Sequence, residues 1–599
     1  MTGLEGYTLY APMDLVTTFL IDNYGRIINT WESQYRPNLG VYLLENGNLA
    51  RTILTSDGNY GVEIMTWDGE VVWEFFYTDE MYYQHHDIEP LPNGNILFLV
   101  RDIRTSSELV DAGRDPASIS TARLWLEKIV EIQPTGLNTG TIIWEWSLYD
   151  HLIQDYDPEK NNYGVVADHN ELMNVNYTLD TEREWLHANS IDYNSQLDQI
   201  IFNPRNIGEF WIIDHSTSTS EASSHTGGNS DKGGDILYRW GNPENYNAGS
   251  TSDKRFYLQH DARWVEEGFP GEGNITVFNN GEDRPDGNYS TVDEITPDID
   301  QNGNYIIPLP GNPFGPADQT WVYKAFPQTS MYSSQISGAH RLQNGNTIIC
   351  EGISGHLFEV TPSSSIVWEY IAPFNFGEPD AQGQDPSDNR LFRCHRHRSD
   401  YPAFDGRDMK PQGYIEISPI IVEGTYHTPE FPTELDEVII TSKIFDDSGI
   451  ASATLHAYYG SDSLIVTMND SATGADLVAN DSIYTAAIPA LIGVDKVNYL
   501  IKIADGSADT FTDPPFGSID YTFSYNPTSA IPVNILISND ESNLTLHWDP
   551  VPGISTYKVY SSDKPYNDFI EDTSGVFQDQ SWTTISSNSK KFYYVVAVK

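Results

Sequence analysis

Along residues 6–408 short apolar runs alternate with polar turns, and one small unit keeps returning. A tryptophan, usually followed by glutamate, closes such a run at Ile28-Asn29-Thr30-Trp31-Glu32, Val71-Val72-Trp73-Glu74, Ile142-Ile143-Trp144-Glu145, Leu237-Tyr238-Arg239-Trp240 and Ile366-Val367-Trp368-Glu369, with a weaker copy at Thr320-Trp321-Val322. Turn signals such as Asp22-Asn23-Tyr24-Gly25 and Trp67-Asp68-Gly69-Glu70 precede several runs, and a second hairpin with an Asn-Gly-Asn tip follows at 46–48, 93–95 and 344–346. Asn-Gly between alternating apolar residues is the strongest short hairpin signal and predicts type I′ turns, with positive φ at both central residues. Each unit is therefore a small antiparallel sheet.

Trp31 and Trp73, like Trp321 and Trp368, are separated by the length of a four-stranded propeller blade, about 40–50 residues. The longer gaps imply inserted loops, among them an exposed Gly- and Ser-rich insertion at 216–234. A parallel solenoid would want shorter, more uniform repeats. The pattern predicts an all-β chain with a six-bladed β-propeller over 1–408. After it the texture changes to short alternating strands with Asp- and Gly-rich turns, as in Val438-Ile439-Ile440-Thr441 and Val497-Asn498-Tyr499-Leu500-Ile501. This predicts an immunoglobulin-like β-sandwich over 409–525. The segments Leu544-Thr545-Leu546-His547-Trp548, Tyr557-Lys558-Val559-Tyr560 and Phe592 to Val598 resemble strands of a fibronectin type III module over 526–599. Neither tail carries an evident catalytic cluster, and both read as spacers or attachment modules.

Of 599 residues, 86 are acidic and 33 basic, a formal net charge of −53. That balance argues against nucleic acid or an anionic membrane as main partner, since neither phosphate neutralisation nor polybasic docking is on offer. With 39% hydrophobic and 12% aromatic residues the chain can bury large cores. Two cysteines, Cys350 and Cys394, exclude a disulfide framework and a four-cysteine metal site. No apolar run has the length of a membrane helix. Scarce lysine, abundant Asn, Asp, Ser, Thr and Tyr, and the C-terminal modules point to a secreted, extracellular or cell-surface chain, with the periplasm an alternative; a salt-adapted protein would share this composition.

Chemistry gathers in the histidines. His85-His86-Asp87, Leu186-His187-Ala188-Asn189-Ser190, Gln259-His260-Asp261 and Ser337-Gly338-Ala339-His340 all precede a blade's second hairpin. Equivalent positions of successive blades converge on a propeller's channel, so distant residues become one site. Aligned on the hairpin, His86, His187 and His260 share a register, and His340 lies three positions further along, opposite Glu89, Ser190 and Arg263, at another depth. Trp185 to Ser190, Glu209 to His215, Gln259-His260-Asp261, Val277-Phe278-Asn279-Asn280-Gly281, and Gly338 to Gly352 followed by Phe358-Glu359-Val360-Thr361 resemble the bacterial arylsulfate sulfotransferases across about residues 6–405. The resemblance implies a six-bladed propeller in an exported compartment that passes a sulfuryl group from a phenolic sulfate donor to a phenol acceptor. It implies no cofactor, no metal and no dependence on the nucleotide donor PAPS. A channel histidine becomes transiently sulfated, assisted by two more histidines and an arginine. Carried over by motif, His187, His260 and Arg284 assist and His340 is the nucleophile, with His260 the alternative. Neutral imidazole is a good nucleophile near pH 7, and guanidinium and imidazolium donors suit a loose transition state with charge on three equatorial oxygens.

Other readings stay open. A non-catalytic propeller acting in extracellular binding, adhesion or self-assembly through the C-terminal modules fits the acidity equally well. A propeller lyase with a histidine-held metal comes third. His85-His86 and His395-Arg396-His397 lack the ligand spacing of a metal site, and Arg393, Arg396 and Arg398 would repel a cation. Asp298-x-Asp300-x-Asn302-Gly303 starts like a calcium loop, but its twelfth position is Leu309, which favours a hairpin turn.

Overall fold

A computed structural model describes residues 3–177, 183–380, 386–416, 420–446, 449–506, 510–515, 520–525, 534–540, 542–551, 555–562, 569–585 and 591–598. The start of the expected fibronectin-like module, residues 526–533, lies outside them, as does Lys599. Residues 1–380 and 386–415 form one compact unit and 416–599 a second.

The first unit holds six four-stranded antiparallel sheets among its described residues. Their innermost strands are Leu391–Arg398, Arg36–Leu43, Tyr82–Pro90, Ala188–Asn194, His260–Trp264 and Gly338–Arg341. These strands adjoin one another in cyclic order, the last beside the first, which is the connectivity of a β-propeller. The ring is closed by chain ends: Leu391–Arg398 pairs with Gly6–Pro12, setting Leu9 opposite His395 and Tyr10 opposite Cys394. Cys350 and Cys394 are buried free thiols.

The tryptophan repeat has a direct structural meaning. Each repeated Trp lies on the outermost strand of its blade and donates its indole N–H to the next blade: Trp31 to Thr66 O, Trp73 to Thr139 O, Trp144 to Thr217 Oγ1, Trp240 to Pro316 O, Trp321 to Pro362 O, and Trp368 back to Asn23 O. The indole body fills the gap between blades and its one polar atom is satisfied. The tips are equally economical. In Asn93-Gly94-Asn95 and Asn344-Gly345-Asn346 the last Asn donates to a third-strand carboxylate, Asn95 to Glu131 and Asn346 to Glu359, each at 2.6 Å. The turn type differs from expectation. Only Gly47, Gly94 and Gly345 have positive φ, while the Asn before each has not. Leu44 N–H bonds Asn48 O and Gly47 N–H bonds Leu44 O, so the loops are three-residue type I turns with a glycine bulge. The Asn46 side chain, which accepts the Asn48 N–H, favours that geometry. Asp300 accepts the Asn302 and Asn304 N–H groups in a hairpin turn.

The channel is blocked at mid-depth by a buried ion network. Arg393 donates to Asp87 (2.8 Å), to Tyr42 Oη (3.0 Å) and to Asn189 O (3.2 Å), and pairs with Asp261 at 3.2 Å. Tyr42 in turn donates to Asp87. Five inner strands thus meet at one guanidinium. The sixth and the strand bearing Tyr42 contribute glycines: a Cβ on Gly338 would stand 2.3 Å from Asp261 Oδ2, and one on Gly40 2.8 Å from Asp87 Oδ1. Burial works against the Arg393 charge, but Asp261 and Asp87 outweigh it and hold the group protonated.

In the second unit, sheets of three and five strands between Ile421 and Ser524 share one buried cluster that includes Val438, Leu455, Tyr499 and Ile501. Sheets of four and three strands between Leu536 and Val598 share another around Leu546, Trp548, Val559 and Trp582.

Removing one member of a buried ion pair leaves the others uncompensated, at a cost of about 3–5 kcal/mol. Arg393→Met is therefore expected to lose that much stability in urea unfolding followed by tryptophan fluorescence. Gly338→Ala should also destabilise, because backbone-held Asp261 cannot retreat. A loss under about 1 kcal/mol for Arg393→Met would show that the carboxylates have other partners.

Candidate active site

Every inner strand from the second blade on has left-handed backbone within it or just before it, at Leu39, His86, His187, Leu258 and Asp261, and Ile336 and Ser337. Non-glycine residues adopt this region at a cost and collect where geometry serves function. Strand irregularities accompany it, between Gln84 and Ile88, Ala188 and Ile191, and His260 and Arg263. These irregularities lie at or beside His86, His187 and His260, and all three rings fall on one side of the buried network.

On one side of the Arg393 network lie His85, His86, His187 and His260. The His86 and His187 rings are 4.7 Å apart, and Phe392 stands 6.2 Å from His86 and 6.4 Å from His260 as an apolar wall. His187 Nδ1 bonds Glu184 Oε2 at 2.5 Å, and Arg101 pairs with Glu184 at 2.8 Å. Burial opposes the Glu184 charge, but the His187 hydrogen bond and Arg101 hold its carboxyl at about 2. Arg205 begins a short turn after the strand Gln199–Pro204, and its backbone N–H bonds His187 O. Among the described residues Arg101 Nη1 and Arg205 Nε have no hydrogen-bond partner, leaving cationic donors beside the imidazoles.

His86 belongs to a relay. Its Nδ1 lies 2.8 Å from His85 Nδ1, and His85 Nε2 lies 2.9 Å from Glu127 Oε2, whose other oxygen accepts the Ala188 N–H. His86 Nε2 has no hydrogen-bond partner among the described residues. Burial, then the charges of His187 and His85, pushes the His86 pKa well below its ordinary value, so the ring is neutral at pH 7. Burial pushes the Glu127 carboxyl up to about 8. With Glu127 ionised, His85 donates to it through Nε2, His86 donates to His85 through Nδ1, and His86 Nε2 is left a bare lone pair. One added proton reverses the chain and caps Nε2.

The other expected residues are placed as follows. His260 is buried, with Nδ1 2.7 Å from Asn280 Oδ1 and Nε2 accepting the Ile336 N–H at 3.2 Å. The Asn280 amide N–H groups already donate to Ser333 O and Ile336 O, so its oxygen accepts and His260 carries its proton on Nδ1. Both nitrogens are occupied in holding the turn that enters the sixth blade. His340 lies three residues beyond Ser337, on the far side of the network, where its ring stacks on His395 at 5.6 Å and its Nε2 accepts the Arg396 N–H. Tyr42, Glu89, Asp192, Arg263 and His395 share that side; burial and the Asp192 charge push the Glu89 carboxyl well above the usual range. Burial and Arg263 hold His340 at about 3. Arg284 donates to Thr291 and packs 4.6 Å from the Tyr289 ring centroid, with no hydrogen bond to any of the imidazoles. The structure thus brings His187 and His260 together and leaves His340 and Arg284 apart from them. Arg101, Glu184, Arg205 and Glu127 were missed. They sit on second strands, loops and a third strand, where no spacing marks them.

His260→Ala leaves the Ile336 N–H without its acceptor and Asn280 without its donor, which is expected to cost about 1–3 kcal/mol of stability. Urea unfolding checks this; an unchanged midpoint would remove the holding role.

The sequence model of the arylsulfotransferase (ASST) family matches residues 13–387. No curated protein sequence matches the chain. Among solved structures, the chain is similar to a protein of unknown function from Bacteroides caccae, at 11% identity, covering 66% of this chain and all of that one, with a TM-score of 0.35. It is also similar to the periplasmic gluconolactonase of Pseudomonas aeruginosa, at 10% identity over 63% of this chain and 79% of that one, TM-score 0.30. A third is the virginiamycin B lyase of Staphylococcus aureus, at 12% identity over 68% and 91%, TM-score 0.28. The propeller-forming part of the chain belongs to the arylsulfotransferase family, whose general activity is aryl sulfate sulfotransfer.

Proposed function

We propose that the protein passes a sulfuryl group from a phenolic sulfate ester to a second phenol through a sulfohistidine formed on His86, with no nucleotide donor. The observation that carries this reading is the unengaged Nε2 of a neutral His86, held from behind by His85 and Glu127 and flanked by His187, Arg101 and Arg205. The donor's aryl ring rests against Phe392 and its sulfuryl oxygens face the guanidinium groups. The His86 Nε2 lone pair attacks sulfur in line with the leaving oxygen, the N–S bond forms and the S–O(aryl) bond breaks. His187, hydrogen-bonded to Glu184 through Nδ1, acts as general acid and protonates the departing phenolate. Positive charge on the sulfated ring is shared through Nδ1–H to His85 and on to the Glu127 carboxylate. An acceptor phenol then gives its proton back to His187 and takes the sulfuryl group as the N–S bond breaks.

A positioned acid–base group contributes about 10²–10⁴-fold, so His187→Asn should lower kcat/KM for p-nitrophenyl sulfate, with phenol as acceptor, by that factor. His86→Asn should abolish nitrophenolate release, while His340→Asn retains it. Quenched wild-type protein should carry one sulfuryl group on the His86 peptide. Label on His340, or turnover surviving His86→Asn, sinks the assignment.

The pH dependence has a definite sign. Glu127 must be ionised for His86 Nε2 to be bare, so kcat/KM should fall as the pH drops below about 8. Glu127→Gln should remove that limb and lower the maximal rate. A profile flat from pH 6 to 9 in the wild type would exclude the relay.

A further inference from the structure

A second histidine cluster lies away from the channel, where the 216–234 segment meets the third blade. This segment, expected to be an exposed insertion, is exposed at Ser218, Thr219, Ser220, His225 and Lys232, yet it folds compactly. It is pinned by Asp214, which accepts from Ser216 and Ser230, and by a helix over Thr219–Ala222 with a Ser218/Glu221 capping box. Polar side chains satisfy its backbone locally, so Gly- and Ser-rich composition does not leave it loose.

Its middle carries His225, and its end leads into buried Asp235. Asp235 Oδ1 lies 2.8 Å from His225 Nδ1 and 2.8 Å from Nδ1 of fully buried His151. All three donor atoms lie within 4.8 Å of one another. The His151 ring stacks on Trp146 at 5.6 Å and donates Nε2–H to Ala222 O at 2.8 Å. A carbonyl can only accept, so in the neutral ring the proton is on Nε2 and Nδ1 is a bare lone pair aimed at a carboxylate oxygen. Two acceptors facing each other in a buried site require something positive between them. A histidine whose outer N–H is held by a backbone carbonyl is also the arrangement that orients metal-bound imidazoles. The pocket has no slack on that side: a Cβ on Gly234 would stand 2.6 Å from His151 Nε2 and 2.0 Å from Ala222 O.

We propose that His151 Nδ1, His225 Nδ1 and Asp235 bind a divalent transition ion of the zinc class, tying the inserted segment to the third blade. Two imidazoles and one carboxylate suit zinc better than calcium or magnesium, which take oxygen ligands. Bonds of about 2.0–2.1 Å place tetrahedral ligand atoms about 3.3 Å apart, so the 2.8 Å pairs must open by about 0.5 Å. His225, its side chain being 59% exposed, can supply that movement in its own pair, while the His151–Asp235 pair requires the Asp235 carboxylate to turn away from the fixed His151 ring. The same exposure leaves the fourth position to water. The proposal is independent of the channel chemistry.

The test uses the full chain after dialysis against EDTA. One equivalent of cobalt(II) is expected to bind and give the visible ligand-field bands of a tetrahedral site, and zinc should displace it. Zinc should also slow tryptic cleavage after exposed Lys232 by about tenfold or more. His225→Ala, altered at the exposed ligand, should lose both effects while folding normally, and Asp235→Asn should lose them too. His86→Asn, which alters the channel cluster, should keep them. Absence of the cobalt bands, cleavage unchanged by zinc, or both effects persisting in His225→Ala would each overturn the site and leave a protonated His151 paired with Asp235.

Discussion

One buried cation organises the propeller. Arg393 sits on the strand that closes the ring, and its guanidinium collects Asp87, Asp261, Tyr42 and the Asn189 carbonyl from four other blades. A charge taken out of water is tolerated only when its donors are met on all sides, which a single partner cannot do. Closure of the ring therefore satisfies the arginine, and the arginine makes any other register of the closing strand costly. Gly40 and Gly338 belong to the same device, since a methyl group at either position would occupy the carboxylates' space.

The network also divides the channel into two unlike environments. One side presents Arg101 and Arg205 around the neutral rings of His86 and His260. The other pairs Arg263 with Asp261 and sets it among Glu89 and Asp192. An aryl sulfate approaching a chain of net charge −53 meets a repulsive far field, against which Arg101 and Arg205 supply local positive charge. His86 and His260 stay neutral there because burial disfavours the charged ring and neighbouring positive groups add to the effect. Direction of donation is then set by who can accept: Asn280 fixes His260, and Glu127 fixes His85 and, through it, His86.

Much of this was legible along the chain. The tryptophans marked outer strands, and the Asn-Gly-Asn tips marked hairpins although the turn type was wrong, because the Asn side chain bonds its own loop. The three-residue offset of His340 is the same spacing that separates His86 from Glu89 and His260 from Arg263, and it places His340 beyond the network. Arg284 follows a matching motif yet turns to Thr291 and Tyr289. The adjacent pair His85-His86 was visible, with His86 in the channel register and the pair weighed as a metal ligand, but it was given no catalytic role because its partner Glu127 is on another strand.

The sequence by itself determined the period, the turns, the interblade tryptophans and the residues able to carry sulfuryl chemistry, because each depends on spacing or on a residue's own conformational preference. Only the tertiary structure decided which side chains share a space, which nitrogen of each histidine is free, and which carboxylate stands behind it. Those depend on bulges and on contacts between blades far apart in sequence, and a linear pattern holds no record of proton direction across such contacts.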